Sequence, residues 1–253
     1  MNVILSEIKK LKHSKVLFIL FFVIVAFIVY AQYDAAEIGI TSAGYIVSTS
    51  LAILNFFGVM LSYVMGAMVF YNDYTWNTIG WLLTGNKSRS KIALTKIVTI
   101  FLINAGLELV VLLFAITIHL ITGKTAVKLI PNQFLPQVIV TFLNLIIWGL
   151  LAFTLTTVTK SIILGILIPF VITSFEMLVY SYLNQVILRF LLNYNIRALI
   201  VTCFSNLKSG SLIVFPDIGY NGSLISHICF LFFVMTALIV TAVLSFKHKE
   251  VTS

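Results

Sequence analysis

Residues able to do chemistry are few in this chain, and they are badly spaced for it. The four histidines, His13, His119, His227 and His248, form no HExxH and no His-x3-His pair, so none of them builds a helical zinc site. Cys203 and Cys229 lack the CxxC spacing of a metal knuckle or a redox pair. There is no GxSxG elbow, and no nucleophile has an evident base beside it. Two stretches imitate a phosphate-binding loop. Gly80-x4-Gly85-Asn86-Lys87-Ser88 carries one residue too many, and Gly123-Lys124-Thr125 has Ile118 where the upstream glycine belongs; neither follows a strand. What remains is a pair of carboxylates, Glu108 and Glu176, each set inside an apolar run. A carboxylate there must be protonated, paired or turned to water, which marks both as functional candidates or as glue between helices.

The medium around those carboxylates follows from composition. Of 253 residues, 60% are hydrophobic and only 9% charged, with a mean hydropathy of +1.11. A soluble domain of this size carries roughly a quarter charged residues to wet its surface. Lipid is therefore the solvent for most of this chain. Six spans of about 20 residues use about half of it and leave no room for a large soluble domain. The net charge of +8 sits beside apolar runs, where it sets topology rather than marking a nucleic-acid footprint. The first apolar run is longer than a signal-peptide core and has no small-x-small site before Gln32, so it is expected to be retained.

The expected fold is an all-α membrane protein, a single permease-like domain over 1–253 with spans near 16–31, 45–71, 93–122, 137–157, 162–180 and 224–246. Met1 to Lys12 places Ile4, Ile8 and Leu11 on one face, the pattern of a helix lying in the interface. Lys96 is expected to snorkel at the start of the third span, and a loop holding Pro131 and Pro136 to precede the fourth. Thr159-Lys160-Ser161 reads as a tight turn. Between the fifth and sixth spans, Arg189, Asn193, Asn195 and Arg197 interrupt an apolar run. Two arginines facing lipid would cost about 2.5–3.5 kcal/mol each, so the expectation is two re-entrant outer helices broken at Asn193 to Asn195. On this layout eleven Lys and Arg residues lie inside and five outside, which puts both termini in the cytoplasm. Gly58, Ser62 and Gly66 form a small-residue stripe that lets another helix approach.

The inner link between the second and third spans is more apolar than a linker needs to be. From Asp73 as an N-cap, Trp76, Ile79, Leu82 and Leu83 fall at helical spacing, and Gly85-Asn86 stops the helix. An interfacial helix seated among headgroups and a helix docked into a cytoplasmic partner both fit.

Here the chain resembles the permease subunit of type-2 ABC exporters. Asp73, Thr78, Leu82-Leu83, Ser88-Arg89 and Lys91 fill that family's places after the second span; Asn77 stands where a glycine is usual, and Lys87 where a proline is common. The resemblance implies a coupling helix, with Asp73, Tyr74, Thr75, Trp76, Thr78, Ile79, Trp81, Leu82 and Arg89 contacting an ATPase made as a separate chain. ATP and magnesium would bind that partner, in two copies; this chain would bind no cofactor and no metal. It further implies a homodimer, with a heterodimer open, in a bacterial cytoplasmic membrane. A path between the second and fifth spans would involve Asn55, Phe56, Glu108, Pro169 and Glu176. Few charges along the spans and 21 phenylalanines suit hydrophobic or amphipathic cargo. Peptide export or self-protection, similar to bacteriocin-immunity and phenol-soluble-modulin exporters, is the expected role. A drug or lipid exporter, or a membrane protein not driven by ATP (a channel, an immunity protein or an intramembrane enzyme), stays open.

Overall fold

The computed structural model describes residues 14–37, 42–75, 88–122, 131–180, 182–183, 185–204 and 223–248. The helices are α1 (Lys15–Glu37), α2 (Ala43–Ile53), a π-helical turn (Leu54–Gly58), α3 (Val59–Thr75), α4 (Arg89–Thr122), α5 (Pro131–Thr159), α6 (Ile162–Val179), α7 (Gln185–Leu188), α8 (Leu192–Cys203) and α9 (Leu224–His248). Helical backbone at Ile53, Leu54 and Val59 joins α2, the π turn and α3 into one rod.

Five described stretches are long and apolar enough to cross a membrane: Lys15–Asp34, Gly44–Tyr71, Arg89–Ile121, Phe134–Thr159 and Leu224–Lys247. The remaining expected span, α6, is apolar but has 18 residues, short of the roughly 20 that cover a hydrocarbon core. Four boundaries differ from the sequence expectation by four residues or more: α1 runs on to Glu37 rather than Ala31, and α3 to Thr75 rather than Tyr71. Helix α4 begins at Arg89 rather than Ala93, and α5 at Pro131 rather than Gln137, so Pro131 and Pro136, expected in a loop, are helical. Pro131 takes the first helical position, where a missing N–H costs nothing, and Pro136 the second turn. The residues expected to form the interfacial N-terminal helix, 1–12, lie outside the described ones.

Helices α3 and α5 meet main chain against main chain. A Cβ on Gly66 would run into the carbonyl oxygen of Gly149, and Ser62 Oγ donates to the Leu145 carbonyl at 2.6 Å. The small-residue stripe of the second span therefore packs against the fourth. Trp148 and Tyr63 fill the space beside it, both buried, with their rings edge-on at 5.6 Å. Phe70 packs edge-on against Phe153 and Phe246, which ties in α9. Lys96 does not snorkel. It is 1% exposed, and its Nζ donates to the Val69 carbonyl at 2.6 Å. A buried ammonium needs such acceptors, and the main chain of α3 supplies one.

The α5–α6 hairpin turns on Lys160, whose φ of 59° is left-handed. Ser161 Oγ then accepts from the Leu164 N–H at 3.4 Å and caps α6. Outward faces carry Phe18, Leu109, Phe175 and Phe233, all more than half exposed. An exterior of that kind matches acyl chains, not water.

Candidate functional site

The segment between α6 and α9 is held by side chains of both helices. Its expected break at Asn193 to Asn195 falls instead at Arg189 to Leu191, and both asparagines lie buried inside α8. The side chains explain the shift. Asn195 Nδ2 donates to the Arg189 and Leu191 carbonyls, each at 2.8 Å, so it satisfies the main chain of the break just before it. Its Oδ1 pairs with His227 Nδ1 of α9 at 2.7 Å. At the N-terminus of α8, Glu176 Oε2 from α6 accepts the Asn193 backbone N–H at 2.9 Å and the Tyr180 hydroxyl at 3.3 Å. A carboxylate there satisfies an orphan donor and favours the positive end of the helix dipole.

Below α8 lies a cavity of about 130 Å³, bounded by the π turn with α3, by α5, by α6 and by α8. Phe56, Trp148 and Phe170 give it aromatic walls; Asn55, Asn144, Asn193 and Arg197 give it a polar side. The π turn matters locally, because an extra residue in the turn re-aims the side chains it carries. Asn55, inside it, donates to Thr141 Oγ1 at 2.8 Å and to the Leu51 carbonyl at 3.1 Å. Asn144 Nδ2 donates to Asn55 Oδ1 at 2.9 Å. Tyr63 donates to Thr173 Oγ1 at 3.3 Å across the α3–α6 gap. Unpaired amides are costly in a hydrocarbon medium, and this network links three helices around one opening.

Of the residues expected along a path, Asn55 and Phe56 stand on the cavity wall, and Pro169 precedes Phe170 in α6. Glu176 is not on the wall; it reaches the site through Asn193. Glu108 lies elsewhere, 4% exposed on α4, a helix that contributes nothing to the lining. Its Oε1 has no hydrogen-bond partner among the described residues.

The inner link is described only at its ends. Trp76, Thr78, Ile79, Trp81 and Leu82 lie outside the described residues. Asp73, Tyr74 and Thr75 are the last residues of α3, so Asp73 continues a helix rather than capping a new one. Arg89 opens α4, and its Nη1 donates to the Lys247 carbonyl at the end of α9 at 3.3 Å.

Sequence reasoning did not single out Asn144, Trp148, Thr173, Asn193 or Arg197 as neighbours. A readable signal existed for three of them, since Asn144 is an amide in the middle of an apolar run and Asn193 and Arg197 interrupt another.

A family model described as ABC-2 family transporter protein matches residues 3–176, more than half of the chain. The chain belongs to the ABC-2 transporter family. No curated protein and no solved structure matches it. As an ABC-2 permease it is a multi-pass membrane subunit of a transporter and not itself the catalyst, in keeping with its apolar helices. The matched residues end at Glu176, near the end of α6. The α8 side of the cavity, with Asn193 and Arg197, comes from the remainder of this ABC-2 permease.

Proposed function

We propose that this chain is the membrane half of an ATP-driven exporter of amphipathic cargo, peptides above all, working as a homodimer with two copies of a separate ATPase. The cavity carries this reading. It combines aromatic walls with a paired-amide patch, lies between the second span and α6, and is roofed by α8. Amphipathic molecules need both surfaces, and a site between helices admits them from the bilayer. Family membership supports the ATPase partner. Asn55 and Phe56 contact cargo in this scheme, Pro169 gives α6 its flexing point, and Glu176 holds the roof. The stretch from Asp73 to Leu83, with Arg89, receives the ATPase on the cytoplasmic side of a bacterial cell membrane. The Lys and Arg asymmetry supports that orientation, with both termini inside.

The test is ATP hydrolysis by the chain reconstituted with its ATPase, against amphipathic peptides, drugs and lipids. Stimulation strongest with amphipathic peptides is the expected result. Stimulation by drugs or lipids alone replaces the cargo class, and failure of any ATPase to co-purify overturns the exporter reading.

A further inference from the structure

Glu108 stands apart from the cavity, buried on α4 and 4% exposed, and its Oε1 has no hydrogen-bond partner among the described residues. One turn earlier on the same helix, about 6 Å along the axis, is Asn104, fully buried. Side chains four residues apart on a helix are neighbours. Asn104 Nδ2 donates to the Ile100 carbonyl at 3.0 Å, which fixes the orientation of the amide, because exchanging its ends would set oxygen against oxygen. Its Oδ1 is therefore an acceptor, and it too has no partner among the described residues. On the α5 side stands Gly149, where a Cβ would lie 3.3 Å from Asn104 Nδ2, a residue with no side chain to donate. Nor do the titratable groups supply a donor. Lys96 lies about 18 Å away along α4 and donates to the Val69 carbonyl, and His119 lies about 17 Å the other way. Among the helices packed against α4, α5 has no titratable residue and α2 has Tyr45. Tyr63 of α3 is bonded to Thr173 and His227 of α9 to Asn195, while Asp73 and Lys247 stand in the last turns of those two helices. Among the described residues no charged group stands close enough to influence the carboxyl.

We infer that Glu108 and Asn104 form a proton-binding site, in which Glu108 Oε1 carries the proton and donates it to Asn104 Oδ1. An ionised carboxylate buried alone is so costly that the group takes up a proton instead. One proton then satisfies both oxygens, since a protonated carboxyl becomes a donor and the amide oxygen is the acceptor beside it. Two oxygens are too few for a metal ion, which takes roughly four to eight ligands. Carboxyls held in this way are where membrane transporters keep protons, and release here requires water to reach α4. The site lies off the cavity and does not depend on what the cavity carries.

The test is the infrared spectrum of the purified full-length chain in dodecyl maltoside, a detergent without a carbonyl group. At neutral pH the wild type should show the carbonyl band of a protonated carboxyl, which an ionised one lacks, and the band should shift in D2O as the proton exchanges. Glu108→Gln should abolish it. Asn104→Leu should move the band without removing it, because the donor loses its acceptor. No band in the wild type, a band that does not respond to D2O, or one that persists in Glu108→Gln overturns the site. A band unmoved in Asn104→Leu overturns the pairing, and one lost in Glu176→Gln assigns the proton to the wrong carboxyl. Stability gives an independent reading. A glutamine at 108 still offers Asn104 an N–H donor, so Glu108→Gln should keep the wild-type thermal midpoint, whereas Glu108→Leu leaves the Asn104 oxygen unmet and should lower it. A midpoint lowered as far by glutamine as by leucine means that Glu108 is ionised and paired, and overturns the proposal. Should Glu108→Gln not be obtained as a monodisperse protein, Glu176→Gln labelled with 13C at the glutamate side-chain carboxyls decides. The band should move with the label there, and a band that stays in place overturns the assignment.

Discussion

The Glu176 carboxylate, on helix α6, accepts the backbone N–H of Asn193 at 2.9 Å and so caps a helix whose sequence begins sixteen residues later. A residue met in the sequence as an isolated charge in an apolar run is thus the fastening between α6 and α8. Replacing it with alanine leaves an N-terminal donor unmet and should cost about 1 kcal/mol, read as a lower thermal midpoint in detergent. Glu176→Gln retains the acceptor and should stay near the wild-type midpoint. Equal losses in both variants would mean that charge, not the hydrogen bond, holds α8.

Gly66 and Gly106 make a matched pair. Adding a methyl group at Gly66 drives it into the Gly149 carbonyl, whereas nothing lies within 4 Å of the position a Cβ would take at Gly106. Gly66→Ala should lower stability by about 1–3 kcal/mol through overpacking. Gly106→Ala should be neutral or gain up to about 1 kcal/mol from helix propensity. Thermal unfolding of the two variants side by side tests the contact, and equal behaviour would refute the close crossing of α3 and α5.

Lys96 joins the start of α4 to the end of α3 through the Val69 carbonyl. Lys96→Met keeps the length of the stem but loses the donor. Its midpoint should fall by the equivalent of about 1–3 kcal/mol, the cost of a broken buried polar contact. Lys96→Arg should lose stability too, because a branched head does not fit a fully buried slot shaped for an ammonium. A wild-type midpoint in the methionine variant would show that the contact carries no weight.

Trp76→Ala and Trp81→Ala test the proposed coupling segment. If it docks into the ATPase, each truncation should release the partner or uncouple its hydrolysis from cargo, at about 2 kcal/mol or more for an aromatic anchor. Seating among headgroups instead predicts normal ATPase retention and normal stimulation, measured by co-purification and hydrolysis assays.

Hydropathy made the long helices legible, because burying a main chain in lipid forces helix and long apolar runs announce it. It failed where partners are distant in sequence. Sequence alone makes Asn195 part of a helix break, yet its amide serves the carbonyls of Arg189 and Leu191 and its oxygen meets His227. Lys96 looks free to reach for water, because nothing local in the sequence shows that the Val69 carbonyl stands within reach. Asn55 and Asn144 are 89 residues apart, and neither alone reveals a cavity. The glycine and serine stripe was informative in the opposite way, since its spacing alone requires a close neighbour, and only the identity of that neighbour, α5, came from the fold.

The Gly66–Gly149 contact also decides what can move. With main chain against main chain there, and Ser62 and Asn55 tied to α5 at two higher levels, the second-span rod and α5 form a stator. The walls they contribute are expected to keep their spacing when the cavity changes shape. Any swelling of the chamber is then expected as a displacement of α6 and α8 away from that stator, with the Lys160 turn as the hinge of α6, and the strokes that matter are those of two helices of 18 and 12 residues.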